Sequence, residues 1–370
     1  MKREGFTLIE LLLVIAISSV VMVASFIYLG GYRSEQNLKL TSNELLSAVK
    51  NTQQLSKSQQ DGKKWGIHFV NTTSSAGQSY TVFSGTSFAA GTAGRTYPLG
   101  RRISFGNPSA SSTLDLIFGA VTGYPSQNQA ISLITGRSDG MVNDISMNTL
   151  GQITSRFDTG LVGYWHFDEG TSTAAYDASG NNNTGTLTNS PTWQSGSNCK
   201  AGSCLSFNGT NNYISLPVGA YFSGPFTIAG WVYVRSYNSW SRLLDFGNGP
   251  SSDNVLFALS QGTSGYVVLE SWNGGVRGFT LVAASVLPLN QWVFLAGEAD
   301  GQSATIYLNG QPLATMATTF TSTNITRTNN YIGMSNWTAD SYANAVFDDI
   351  RIYNRALSAT EIADQYNALR

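Results

Sequence analysis

"WVFLAGEADGQSATIYLNGQPLA", residues 292–314, carries two turn dipeptides, Asp300-Gly301 and Asn309-Gly310, between runs that alternate apolar and polar residues. Such pairs tolerate the two positive φ angles of a type I′ turn, so the spacing predicts a three-strand meander over 291–316. Similar runs lie on both sides: "LVGYWHF" (161–167), "CLSFNG" (204–209), "YISLP" (213–217), "FTIAGWVYV" (226–234), "RLLDFG" (242–247), "NVLFALS" (254–260), "GYVVLESW" (265–272), "NYIGMS" (330–335) and "AVFDDIRIYN" (345–354). About a dozen strands in some 210 residues predict an all-β, two-sheet sandwich of jelly-roll type. The chain closes on "SATEIADQYNAL" (358–369). Ser358 three residues before Glu361 forms a capping box, and Ile362, Tyr366 and Leu369 share one face, so a short helix is expected to dock on the sandwich.

At 370 residues the chain is long enough for two cores, and its charge supports two modules. Residues 6–157 hold 11 Lys and Arg against 7 Asp and Glu, net +4; residues 158–370 hold 8 against 14, net −6. An acidic second module argues against nucleic acid as its partner. The only cysteines, Cys199 and Cys204 in "NCKAGSC", read as a local disulfide pinning a loop. Zinc would need two further ligands where the chain has only His68 and His166, and the C-x-x-C spacing of redox sites is absent.

Residues 6–29 are uncharged except for Glu10. As a helix they would span roughly 36 Å, enough to cross a bilayer core of about 30 Å, and Lys2 and Arg3 would keep the N-terminus cytoplasmic. A carboxylate in that zone costs on the order of 2.5–3.5 kcal/mol and needs a partner. No basic residue follows until Arg33, so the partner is expected on another chain. The string Lys2-Arg3-Glu4-Gly5-Phe6-Thr7-Leu8-Ile9-Glu10-Leu11 closely resembles the leader and helix start of type IV prepilins and type II secretion pseudopilins. That resemblance implies cleavage by a prepilin peptidase after Gly5, N-methylation of Phe6, and pairing of Glu10 with the terminal amine of a neighbouring subunit.

The organisation expected from these signals is a leader (1–5), a long helix (6–60, transmembrane over 6–29), a pilin-like β-sheet domain (61–157) and the sandwich (158–370). Leu38, Leu45 and Val49 mark one buried helix face, and Asp61-Gly62 ends the helix. Strand-like runs follow at 65–70, 79–85, 101–105, 114–119, 130–135 and 150–155, completing an α+β plan of one helix on one antiparallel sheet. The run "SKSQQDGKKWGIHFV…SYTVFSG" is similar to minor pseudopilins that cap filaments.

The second module resembles laminin-G-like, concanavalin A-like lectin/glucanase domains, on "GYWHFDEG…YDASGNNNTGTL" (163–187), "LSFNGTNNYISLP" (205–217), "FTIAGWVYV", residues 292–314 and "FDDIRIYNRALSATEI" (347–362). Retaining glycosidases need two carboxylates about 5–5.5 Å apart. Here Glu270 stands alone, and Asp348 and Asp349 are adjacent and so expected on opposite strand faces. No Ser-His-acid set is readable, and no catalytic residue is expected. Domains of this kind often carry calcium, which takes six to eight oxygens. Asp177 and Asp349, joined by Asp168 and Glu169, are the candidate structural calcium ligands. Trp240 ("YNSWSR") and Trp337 ("SNWTAD") have the polar neighbours of loops and are the candidate ligand surface.

Together these readings predict a minor pilin or pseudopilin, anchored in the cytoplasmic membrane and then assembled into an extracellular filament. Its expected partners are other pilin subunits, the prepilin peptidase, the membrane, and a glycan or surface protein bound for adhesion. The alternative is a structural pseudopilin that primes or caps a secretion or DNA-uptake filament, with the sandwich as a spacer.

Overall fold

The apolar face predicted from Leu38, Leu45 and Val49 is fully buried, and it belongs to one long helix, α1 (Leu8–Lys57). The chain is described by a computed structural model covering residues 8–369 except 73–76, 101–102, 109–110 and 136–141, with side chains from Arg33 onward. Gly5 and Phe6 lie outside the described residues, and Glu10 is described only as backbone of α1. Among the described residues no helix is long and apolar enough to cross a membrane. The side chains of the apolar stretch 6–29 are not among them.

Eight strands follow α1: β1 (Trp65–Asn71), β2 (Ser79–Ser84), β3 (Thr92–Pro98), β4 (Ile103–Asn107), β5 (Ser112–Phe118), β6 (Gln129–Thr135), β7 (Val142–Met147) and β8 (Ile153–Asp158). They form two four-stranded antiparallel sheets, β3-β2-β1-β5 and β4-β6-β7-β8, where one sheet was expected. The sequence pattern missed β3 and β7 for opposite reasons. Strand β3 is exposed along almost its whole length and carries no apolar alternation. Strand β7, Val-Asn-Asp-Ile-Ser-Met, is buried at all six positions, its polar residues included, because one face meets the second module. The helix and both sheets share one core, with Ile67, Phe69, Ile131, Leu133 and Ile145 around the three helical residues.

Only Thr159 and Gly160 separate β8 from β9 (Leu161–Trp165). Fifteen further strands make the sandwich: β10 (Ala174–Ala175), β11 (Gly185–Thr188), β12 (Thr192–Ser195), β13 (Ser203–Asn208), β14 (Tyr213–Leu216), β15 (Phe226–Val234), β16 (Arg242–Gly247), β17 (Val255–Ala258), β18 (Tyr266–Asn273), β19 (Val276–Val286), β20 (Trp292–Ala299), β21 (Ser303–Leu308), β22 (Gln311–Ala317), β23 (Asn329–Ile332) and β24 (Asn344–Tyr353). One sheet runs β10-β11-β14-β23-β16-β17-β18-β19; the other runs β12-β13-β24-β15-β20-β21-β22, with β9 also paired to β24. Alternate residues of both sheets, among them Phe207, Ile228, Phe246, Phe257, Leu269, Leu295, Phe347 and Ile350, fill the core between them.

The meander forms as β20-β21-β22, with one difference in a turn. Asn309 and Gly310 both take positive φ, 51° and 77°, as a type I′ turn requires. At the other turn only Gly301 is positive (85°), and Asp300 pairs across to Ser303. The central pair is therefore Gly301-Gln302, the glycine-first pattern of a type II′ turn. Asp300 stays outside it because its Oδ1 accepts hydrogen bonds from the Gln302 and Ser303 amides. Helix α2 (Ala359–Leu369) opens with the capping box: the Glu361 amide bonds to Ser358 Oγ, and Glu361 Oε2 accepts from the Ser358 amide.

Candidate functional site

Two polar clusters stand out, one at the junction of the modules and one on the outer face of the β10–β19 sheet. The junction is built on a fault in β24. Trp231 pairs with Asp348 and Ala229 with Arg351, so two residues, Asp349 and Ile350, oppose Gly230 alone. Asp349 sits in this bulge at φ 53°. Phe347 and Ile350 both point into the sandwich core, so Asp348 and Asp349 together face outward. The expectation of opposite faces fails here because a bulge breaks the two-residue period.

Around that bulge six side chains close a ring. His166 Nδ1 lies 3.0 Å from Asp349 Oδ1, and its Nε2 lies 2.7 Å from Ser132 Oγ. Ser132 Oγ–H donates to Asp144. Arg351 Nη2 reaches Asp144 Oδ2 at 3.1 Å and also donates to the Tyr164 hydroxyl. Tyr164 donates to Asp349 at 2.8 Å. Ser132 spends its only hydrogen on Asp144, so it must accept from Nε2–H, while a carboxylate at Nδ1 requires a second N–H. His166 is therefore an imidazolium, and two cations balance two carboxylates. Burial lowers the His166 pKa, yet the bond and charge of Asp349 outweigh it and raise it above the ordinary value. Burial raises Asp349, but Arg351 and then His166 overcome that and hold it below the ordinary carboxylate range. Asp348, turned to the Lys200 and Ala201 amides, is pushed well above that range by burial and by its neighbour's charge.

Ser132, His166 and Asp349 thus stand in Ser-His-acid order, which the sequence did not reveal because the residues come from β6, the residue after β9, and β24, far apart along the chain. A nucleophile must meet substrate, and Ser132 is fully buried with its hydrogen committed to Asp144. The ring is an interface device. Nearby, Val142 and Ile134 pack against Leu161, Ala178, Trp231, Ile362 and Leu369 across the same junction.

The calcium candidates do not converge. Asp177 closes its own loop, accepting from the amides of Tyr164, Ser179 and Asn183 and from Ser179 Oγ. Asp168 accepts from the Ser203 amide at 2.6 Å and from Asn107 Nδ2 at 2.8 Å, and a side chain at Gly202 would collide with it. Burial pushes Asp168 up to about 6 and Glu169 up to about 7. Among the described residues no group of three or more His, Cys, Asp or Glu is arranged to hold a metal. Cys199 and Cys204 are joined by a disulfide.

The second cluster unites both loop tryptophans. Trp240, Arg242, Ser251, Leu256, Glu270, Arg277, Trp337 and Asp340 line a cleft of about 210 Å³. Its floor is a small apolar patch, Leu256, Ala258 and Val268, on the outer faces of β17 and β18, against which both indoles pack half-buried. The uninterrupted apolar runs of those strands were the signal that both faces are covered. Trp240 sits at φ 53°, a conformation rare for a bulky residue and held only by its surroundings. Arg242 supplies them: its Nη1 donates to the Trp240 carbonyl at 2.6 Å and its Nη2 to Asp340 at 2.9 Å, while its guanidinium lies between the two indoles. The Trp337 loop is tied down by Asp245, wholly buried, which accepts from the Asn336 amide and from Asn254 and Asn336 Nδ2. Trp272, missed by sequence reasoning because it ends a regular strand, lies beside Trp337 with Arg277 4.6 Å above it.

Residues 208–363 match the Concanavalin A-like lectin/glucanases superfamily, and residues 1–26 match the Prokaryotic N-terminal methylation motif. The chain fuses a prepilin-type N-terminus to a laminin-G-like domain. No curated protein matches it by sequence. Among solved structures, Domain 4 of AbnA, a GH43 extracellular arabinanase from Geobacillus stearothermophilus in complex with arabinotriose, is 22% identical, covering 57% of this chain and 98% of its own, with a TM-score of 0.45. The binding domain of Paraclostridial Mosquitocidal Protein 1 is 17% identical over 56% of this chain, TM-score 0.43, and that of Botulinum Neurotoxin serotype G 15% over 56%, TM-score 0.44. The match spans about half the length of each toxin domain, 52% and 50%.

Proposed function

We propose that this prepilin-type protein is a minor pilin or pseudopilin whose laminin-G-like domain recognises carbohydrate at the Trp240–Trp337 cleft, giving a filament an adhesive surface. The observation that carries this reading is the meeting of two half-exposed indoles, far apart in sequence, on a floor and buried polar frame that fix their geometry. Aromatic faces stack on the apolar faces of sugar rings, and rigid placement lowers the entropic cost of doing so. A glycan array probed with the full chain in detergent should give a restricted set of binders that Trp240→Ala and Trp337→Ala each abolish. Binding that survives both substitutions refutes the cleft.

The N-terminal motif supports membrane anchoring first and filament assembly afterwards. Glu10→Ala is expected to insert normally and to enter filaments poorly, read by fractionation and by recovery in sheared filaments; normal incorporation contradicts the pairing of Glu10 with another subunit. A structural cap or primer remains the second reading, favoured by the two-residue joint and the buried junction, which make the sandwich a stiff extension of the first module.

A further inference from the structure

We infer that the sugar recognised at this cleft is acidic, an anionic group carried on the ring and received by Arg277. The inference rests on the cleft being the glycan site. Its carboxylates are already committed to protein donors. Glu270 Oε1 accepts from Trp272 Nε1 at 2.5 Å, and Oε2 from Thr280 Oγ1 at 2.7 Å. Asp340 Oδ2 accepts from Arg242 at 2.9 Å and from Ser335 at 2.7 Å. Arg242 is itself buried, and its Nη1, Nη2 and Nε are each engaged, by Trp240, Asp340 and Asp245.

Arg277 differs from all of these. Its side chain is 57% exposed, and its nearest carboxylate contact, Nε to Glu270, is 3.7 Å, beyond a hydrogen bond. Among the described residues its guanidinium makes no hydrogen bond, so its fork of donors is unspent. It is nonetheless placed. Strand pairing sets Arg277 opposite Trp272, and the guanidinium lies over that indole at 4.6 Å, at the rim of the cleft. A planar, oriented cation beside two half-exposed indoles suits a ring that stacks and an anionic group that takes two parallel hydrogen bonds. Glu270 lies 3.7 Å from Arg277 Nε with its two oxygens bonded to Trp272 and Thr280, so the N–H donors of the guanidinium remain open to a ligand.

The test titrates the full chain in detergent with polygalacturonate, dextran sulfate and neutral dextran, at two salt concentrations. The first two separate a carboxylate from a sulfate source of the same anionic chemistry. At least one acidic polymer should bind about tenfold or more tightly than dextran, with affinity falling at higher salt, and Arg277→Gln should remove that advantage at an unchanged melting temperature. Arg277→Lys should restore only part of it, because an ammonium cannot make the bidentate pair. Dextran binding as tightly as the acidic polymers, or acidic binding unaffected by Arg277→Gln, overturns the inference. If Trp240→Ala then abolishes the binding that remains, the glycan cleft stands and only the acidic preference falls. Acidic binding indifferent to Trp240→Ala overturns both, and no binding to either acidic polymer overturns the acidic preference.

Discussion

Arg351 and Arg277 each lie over an aromatic ring, 4.1 Å from Tyr164 and 4.6 Å from Trp272, and they serve opposite ends. Arg351 is 7% exposed and bonded into a ring of charges that balances to zero between the two modules. Arg277 is 57% exposed, and among the described residues its guanidinium makes no hydrogen bond, standing 3.7 Å from Glu270. The junction thus contains a serine, a histidine and carboxylates in the order that catalysis favours, yet its serine is fully buried and gives its hydrogen to Asp144. The cleft has plainer chemistry, two indoles and an arginine, but its bonds fix the frame and leave the faces open. Residue types alone do not mark a site; what separates the two regions is whether the groups that would act are accessible, as Ser132 is fully buried and Arg277 is open at the rim of a cleft.

The largest effect separating them is on stability. Arg351→Ala leaves Asp144 and Asp349 buried beside an unshared imidazolium and should cost about 3–5 kcal/mol, read by denaturant unfolding. A loss below about 1 kcal/mol would show that the junction is not a closed network. Acidity is the next probe. Asp168, raised to about 6, Glu169, raised to about 7, and His166, raised above its ordinary value, all bind protons more tightly folded than unfolded. The folded state therefore holds the extra protons between about pH 4 and 7, and stability should fall as pH rises through that window. The chain should melt at a higher temperature at pH 5 than at pH 8, and Glu169→Gln should flatten the dependence; a rise in stability toward pH 8 would contradict it. Glu361, lowered to about 2 by its bond to Arg355, works in the other direction only below about pH 4.5.

At the cleft the order reverses, with small stability effects and large effects on binding. Trp240→Ala should cost about 1–2 kcal/mol, as a half-buried indole on an apolar floor would, while removing glycan binding. Arg277→Gln should stay within about 0.5 kcal/mol of the parent, as an exposed side chain without hydrogen bonds does. A destabilisation of several kcal/mol by either would make the cleft a second structural network and erase the contrast.

Much of this was legible wherever local chemistry decides the outcome. Asn309-Gly310 placed its turn, Ser358 and Glu361 placed the closing helix, and the polar neighbours of Trp240 and Trp337 marked them as loop residues. The pattern failed where distant partners decide. Asn143, Asp144 and Ser146 made β7 look too polar to be buried, because Asn143 is paired with Ser155 on one face and the sandwich that covers Asp144 on the other lies far along the chain. Asp348 and Asp349 obeyed the strand period on paper, and a bulge turned both outward. Ser132, His166 and Asp349 met through folding alone, as did Trp272 and Arg277 with the loop tryptophans.

The most direct measurement is fluorine NMR of the full chain labelled with 5-fluorotryptophan, whose eight indoles report separately. On titration with an acidic polysaccharide, the resonances of Trp240, Trp337 and Trp272 should shift, assigned by single substitution, while Trp165 and Trp231 at the sandwich core and junction stay fixed. Shifts confined to the other indoles, or no shift at saturating ligand, would contradict the account.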